Sequence, residues 1–461
     1  MAALIPIVMY GWIPVVLYLF VRFPTQRAVI VSLIVAWQFL PQVSLSLPGL
    51  PPYNKMSAAC YGVLLGTLVY DTTRFSSFKP GWIDVPILIC CLCPIASQVT
   101  NGGSPLSPTL NQIVAWGMPF LLGRLYLNSL DGLRQLAIGI FAGGLSYIPF
   151  TMIEGVRGPI LHQMVYGVNA FEDWGQARRM GGWRPVVFMQ HGLMVGLWMM
   201  AAALVGFWLW QTGVLKKFQG RNMKTLVIVI IIAFLLCRST GAYSLFAMSL
   251  VVLFSAKIFK TSLPLLLIIG YIIFYLYLAA SGQFSSEEVI SFISQIFGEE
   301  RAASLGFRFQ NEEILGNKAR LRFLFGWGDS GGNRVYNEYG DDVSVTDSLW
   351  IIAFGVNGVV GLTSLFSSLL LPVIAFCFKY PARTWSNPKV APAAVLGIAL
   401  TMYAFDCVLN AMTNPIFTLI AGGIAGVVLK DTESLKPKKT SSPLPRRSLS
   451  PQKSRMSTTH H

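Results

Sequence analysis

The chain has 461 residues, 54% of them hydrophobic and only 12% charged, where a soluble domain carries roughly 25% charged residues. Its net charge of +15 would suit nucleic acid, but the basic residues sit in short links between apolar runs and at the C-terminus, which is the positive-inside pattern of a membrane protein. A disulfide scaffold is excluded as well: Cys60, Cys90, Cys91, Cys93, Cys237, Cys377 and Cys407 all fall inside apolar runs, where they read as small fillers, and Cys90-Cys91-x-Cys93 has neither metal-ligand spacing nor a nearby histidine.

Apolar runs fall near 3–21, 28–44, 55–72, 83–100, 109–128, 132–155, 186–213, 223–239, 241–259, 263–282, 346–378, 392–413 and 415–429. Runs of about 20 apolar residues cross a bilayer as helices, since only a helix or a closed barrel satisfies its own backbone there. The pattern predicts an all-α polytopic transmembrane helical bundle of about 12–13 spans. The N-terminus lacks an early basic region and an A-x-A site, so no cleavable leader is expected. The run 346–378 exceeds one crossing, so it begins outside the hydrocarbon or tilts.

Basic links (Arg22/Arg27, Arg74/Lys79, Arg124/Arg134, Lys216/Lys217/Arg221/Lys224, Lys257/Lys260 and Lys379/Arg383/Lys389) alternate with links poor in basic residues, such as SLSLPGLPPYNK and NGGSPLSP. The segment 430–461 is rich in Ser, Pro and Lys and reads as a disordered basic cytoplasmic tail, leaving 1–429 as the membrane domain. Counting back from that tail puts two long connections outside, 156–185 and 283–345. The second carries ten acidic against six basic residues, and long loops cross regardless of charge. Connections of this length are usually functional or disordered. Within it, SSEE at Ser285 to Glu288 reads as a capping box, and VISFISQIF offers an apolar face to the membrane surface or a cavity. No internal repeat is apparent.

Ionisable residues in or beside spans are expensive and mark function by default. Glu154 ends the sixth span and Arg184 opens the seventh, with His191 seven residues on, along one helical face. Arg238 ends the eighth span, Asp347 opens the eleventh, and Asp406 and Asn410 lie one turn apart near the end of the twelfth. Each alone has an ordinary reading. An arginine snorkels, a histidine packs, and Asp347 or Thr346 caps a helix. Their common depth, at the outer boundary, points instead to a shared outward-facing polar site. Gly355, Gly358 and Gly361 form a small-residue stripe and read as close helix packing.

Several arginines at that depth suit an anion, because guanidinium binds phosphate through paired donors, and the loop adds Arg308, Arg320 and Arg322. A lipid diphosphate in the outer leaflet would present its phosphates at this height. An acid opposite it could take a proton from an attacking hydroxyl while the arginines neutralise the departing diphosphate. That chemistry is glycosyl transfer from a lipid-linked donor. No nucleotide-sugar motif, P-loop or His-rich metal set is present.

From FRFQNEEI (307–314), LFGWGDSGG (324–332) and TDSLWIIAFGVNGVVGL (346–362), the chain resembles the bacterial O-antigen ligase and polymerase family. In that family a periplasmic arginine precedes a G-x-G turn, and a span follows that reads roughly L-x-x-L-x-x-x-G-[LIV]-[IV]-G. Arg308 looks like the family arginine, Gly326 and Gly328 like the turn, and Gly358-Val359-Val360-Gly361 like the span signature. STGAY at 239–243, after Arg238, is similar to the family's Ser-Arg-Gly segment in a different order. The ligases carry a histidine just before the eleventh span. Asp347 stands at that place and Ser348 where asparagine is common, which looks more like the polymerase branch.

The resemblance implies a GT-C-type fold, independence from a bound metal or other cofactor, and an inner-membrane enzyme of bacteria. It would polymerise glycans carried on undecaprenyl diphosphate into O-antigen or exopolysaccharide at the periplasmic face. Arg184, Arg238 and Arg308, with Arg320 and Arg322, would hold the diphosphate. Asp347 would activate the acceptor, Glu154, His191 and Asp406 would shape the site, and the loop 283–345 would cover the donor sugar. Trp174, Trp183 and Trp327 suit stacking on sugar rings or an interfacial aromatic belt. Its partners would be the lipid-linked donor, the glycan acceptor, membrane lipids, and a chain-length regulator or flippase. Three other readings stay open: ligase-type transfer to a different acceptor, a lipid-linked glycan transporter or flippase, and a non-catalytic scaffold.

Overall fold

The structure is a computed structural model, and it describes residues 4–46, 51–170, 174–284, 290–291, 294–295, 299–329 and 331–430. It is 72% helical. A helix occupies each of the thirteen apolar runs: α1 (Leu4–Arg22), α2 (Thr25–Phe39), α3 (Lys55–Tyr70), α4 (Val85–Thr100), α5 (106–126), α6 (Leu130–Arg157), α7 (Gly192–Gln211), α8 (Met223–Leu236), α9 (Thr240–Ile258), α10 (Leu263–Ser281), α12 (Leu349–Lys379), α13 (Ala391–Leu409) and α14 (Pro415–Leu429). Eight of them are long and apolar enough to cross a membrane, and α8 and α14 are shorter but equally apolar. α5 is a composite, with one π-helical turn at Ile113–Gly117. The long connection 283–345 contributes α11 (Glu299–Arg320). The capping box at 285–288, most of VISFISQIF and the tail beyond 430 lie outside the described residues.

α7 and α13 form the centre. α7 reads GLMVGLWMMAAALVGFWLWQ, apolar on every face, and a helix apolar all round is stable only when buried all round. It packs on α6, α8, α9 and α13. The peripheral helices turn one apolar face outward: Leu88, Leu92, Ile95 and Val99 on α4 and Ile232 and Leu235 on α8 are exposed, as lipid-facing side chains are.

Two helices depart from the lengths their runs suggest. The seventh run begins at 186, but α7 starts only at Gly192. Pro185 disfavours helix at the residue before it, and the backbone N–H groups of Val186 and Val187 are taken by the Glu154 carboxylate at 2.8 and 2.7 Å. Arg184 and His191 therefore do not share a helical face, and a folded connector brings them together instead.

α12 is broken at Gly358 (φ 66°, ψ −167°), a backbone region open essentially to glycine alone. Four of the groups around the break are re-paired by the segment 323–328. Val359 and Val360 N–H donate to the Phe323 and Leu324 carbonyls at 2.7 and 3.3 Å, while Trp327 and Gly328 N–H donate to the Gly355 and Val356 carbonyls at 2.9 and 3.0 Å. A Cβ at Gly358 would fall on the Leu324 carbonyl. The glycine stripe is thus more than helix packing. It admits a second backbone into the helix.

Candidate active site

One end of the bundle collects the end of α4, the ends of α8, α10 and α13, and the starts of α7, α9 and α12. The contacts that join them are backbone-directed. Leu349 N–H donates to the Asn410 carbonyl at 3.3 Å, and the Arg184 guanidinium to the Arg238 carbonyl at 3.4 Å. A cavity of about 1020 Å³ opens there, large for a small-molecule site, where roughly 300–1,000 Å³ is usual. Its walls hold Arg184, His191, Arg238, Arg308, Asp347 and Asp406, together with Arg179 and Asn410. The floor is apolar, with Leu193, Leu245, Met248 and Phe405.

Each cation is seated by its own local structure. Glu154, fully buried at the end of α6, accepts from Leu161, Val186 and Val187 N–H, so it holds the connector that carries Arg184 and does not itself reach the cavity. Arg238 sits in the left-handed backbone region (φ 50°) between α8 and α9, and its guanidinium lies against Gly182, where any Cβ would displace it. Arg308 is on α11 and donates to the Leu409 carbonyl at 3.1 Å and to Asn410 Oδ1 at 3.2 Å. Asn410 Nδ2 in turn donates to Asp406 Oδ1 at 2.9 Å. His191 caps α7, its Nδ1 accepting from Leu193 N–H at 3.0 Å, which leaves the ring proton of the neutral form on Nε2.

Buried polar groups are normally paired. Here Arg184 Nε, Arg238 Nη1 and Asp406 Oδ2 are buried and have no hydrogen-bond partner among the described residues. Burial, reinforced by the charges of Arg179 and Arg308, pushes the Arg184 guanidinium down to about 10. Four arginines, Arg179, Arg184, Arg238 and Arg308, against two carboxylates make the wall electropositive. Asp347 is half-buried and takes no hydrogen bond among the described residues. It does not cap α12. The N-cap is Ser348, whose hydroxyl donates to Glu312 Oε1 at 2.8 Å.

Arg320 and Arg322 do not line the cavity. Arg320 donates to the Ala279 carbonyl at 3.1 Å, and Arg322 to Asn101 Oδ1 and across the Trp327 ring. Trp327 and Trp183 likewise lie outside the cavity lining.

Glu312 was not singled out by sequence, because one carboxylate in a polar helix reads as a solvated face. It is buried, and accepts from Tyr275 Oη at 2.8 Å, Ser348 Oγ at 2.8 Å and Trp350 Nε1 at 3.1 Å, so it fastens α11 to α10 and α12. Burial raises its carboxyl above the usual range, against the pull of these donors and of Arg308. Arg179 was missed as one of several basic residues in RRMGGWR, a two-residue hairpin whose strands Arg178–Arg179 and Gly182–Trp183 pair over the cavity.

No family model matches the chain, and no curated protein matches it.

Proposed function

We propose that the protein is a membrane glycosyltransferase that polymerises undecaprenyl-diphosphate-linked oligosaccharide repeats. The reading takes the fold as GT-C-like, the membrane as the bacterial inner membrane, and the cavity end with its loop 283–345 as periplasmic. It rests above all on one observation: donors of Arg184 and Arg238 that are buried and unpaired among the described residues meet Arg308 in a cavity that also holds Asp347, a carboxylate with no hydrogen bond among those residues. An electropositive, partly dehydrated pocket with an apolar floor suits a diphosphate on a lipid chain. The basic links at the opposite end agree with the orientation.

In this account the arginines bind the donor diphosphate, in the role a metal ion takes elsewhere. An acceptor hydroxyl attacks the anomeric carbon and passes its proton to Asp347. The new glycosidic C–O bond forms as the anomeric C–O bond to the diphosphate breaks, and the departing undecaprenyl diphosphate keeps the electron pair. Its added negative charge is met by guanidiniums already in position, so the transition state is stabilised without reorganisation. Asp406 and Asn410 hold Arg308 in place, and His191 closes the wall beside Arg184.

The test is mass balance. Purified protein in nanodiscs with the lipid-linked oligosaccharide should release one undecaprenyl diphosphate per repeat added. A product extended once only would assign the ligase-type reaction, and donor that binds unchanged would remove the enzyme reading.

A further inference from the structure

Arg320 and Arg322, outside the cavity, belong to a second feature. α11 ends in a turn, 320–324, that sits between the end of α4 and the end of α10: Arg322 reaches the Thr100 carbonyl and Asn101, and Arg320 the Ala279 carbonyl. Leu321 is 74% and Leu324 59% exposed. The turn meets the end of α4, through Arg322 on Thr100 and Asn101, just past Val99, the 64% exposed last member of that helix's outward apolar strip. Beside them the Trp327 indole has Lys318 Nζ 4.2 Å and the Arg322 guanidinium 4.4 Å from its ring centre. No carboxylate forms an ion pair with Lys318, Arg320 or Arg322 among the described residues. Exposed leucines on a turn at the end of a lipid-facing helix, next to unneutralised cations on an indole, are the composition of a segment that lies at the headgroup boundary.

We propose that this turn is a phospholipid-binding site. Lys318 and Arg322 bind the phosphate of an anionic phospholipid headgroup, and Leu321 and Leu324 enter the acyl boundary beneath it. The same turn supplies the Phe323 and Leu324 carbonyls that re-pair the break in α12. The membrane surface is therefore the reference against which the half-helix following Asp347 is set. The inference does not depend on the reaction, only on the chain lying in a bilayer.

The experiment uses the full-length protein with an environment-sensitive fluorophore on Leu321→Cys, the native cysteines all being buried. It is placed in nanodiscs of phosphatidylcholine alone or with phosphatidylglycerol, and each is probed with a shallow doxyl-labelled lipid and with aqueous iodide. A Tyr339→Cys label, at an 89% exposed position, is the aqueous reference. The site predicts strong doxyl quenching and weak iodide quenching at 321. It also predicts preferential retention of phosphatidylglycerol by the wild type, seen by native mass spectrometry. That retention should fall about fivefold for each charge removed in Lys318→Gln and Arg322→Gln, and persist in Arg322→Lys. Iodide quenching at 321 equal to that at 339 would overturn the site. So would doxyl quenching with no preference for the anionic lipid, which would leave an apolar contact and no phosphate site.

Discussion

Arg308, on the loop helix α11, is tied to the end of α13 through Asn410, whose Oδ1 accepts from its guanidinium at 3.2 Å. Residues 102 apart in sequence thus set the position of one cation in the cavity wall. Asp406 holds the asparagine from the far side. Because the loop brings Arg308 while the bundle orients it, the two ends of this relay have different consequences when removed.

Arg308→Ala removes the charge that faces the departing group. Loss of one pre-oriented donor of this kind typically costs about 10²–10³ in turnover. Asn410→Ala leaves the charge but frees it, so a loss nearer tenfold is expected, recovered in part by Asn410→Asp. Steady-state rates with a soluble-chain analogue of the donor separate the two.

Asp347→Asn keeps the volume and polarity of the side chain and removes its capacity to take a proton. Turnover should fall by about 10²–10⁴, while the donor still binds because the arginine wall is unchanged. Donor affinity measured by thermal stabilisation in nanodiscs checks the second half. Loss of donor binding together with turnover would mean Asp347 builds the site and does not act in it.

Glu154→Ala leaves the Val186 and Val187 N–H groups buried without their acceptor and removes that of the part-buried Leu161 N–H. At about 1–3 kcal/mol for each buried group, a loss of about 2 kcal/mol or more is expected. Donor affinity should fall as the Arg184 connector loosens. Glu154→Gln, which keeps one acceptor oxygen, should lie between. Chemical denaturation and donor binding read the two effects separately.

Glu312 gives α11 a pH dependence. Its carboxyl is raised above the ordinary range by burial, so the docked loop takes up a proton more readily than the undocked one. Its contribution is therefore fully present below the ordinary carboxylate pKa and is lost as pH rises through the raised value. Hydrogen exchange across 299–320 should show more protection at roughly pH 5 than at roughly pH 8. In Glu312→Gln the two profiles should coincide. Equal protection in the wild type would remove Glu312 as the fastener.

Gly358→Ala puts a Cβ where the Leu324 carbonyl lies, at a backbone angle that side chains do not adopt. Strain of this kind costs about 1–3 kcal/mol before any overlap is added. The expected result is a sharp loss of stable protein, whereas Gly270→Ala, at a glycine of α10 that faces open space away from the cavity, should be silent.

Much of this was legible before the fold. Thirteen apolar runs became helices, eight of them long and apolar enough to cross a membrane, because hydropathy and length decide which segments can satisfy their backbone in lipid. Arg184, His191, Arg238, Arg308, Asp347 and Asp406 do line one cavity. A shared depth is readable from sequence once the alternation of spans is set. What was not legible lay in three-dimensional pairing. The start of α7 depends on Glu154 claiming two N–H groups more than thirty residues away. The break at Gly358 depends on a turn from the loop entering the helix, which a glycine stripe alone cannot distinguish from packing. Arg320 and Arg322 share the composition of the site arginines but face away from it, since the direction of a loop arginine is set by the turn that carries it.

The most direct test combines the purified protein in nanodiscs with undecaprenyl-diphosphate oligosaccharide, and the products are resolved on a gel. A ladder of lengthening glycan that disappears in Asp347→Asn and in Arg308→Ala, with both variants folded, is the predicted result. A ladder that survives both substitutions would contradict the assignment of this cavity as the place where the glycan is transferred.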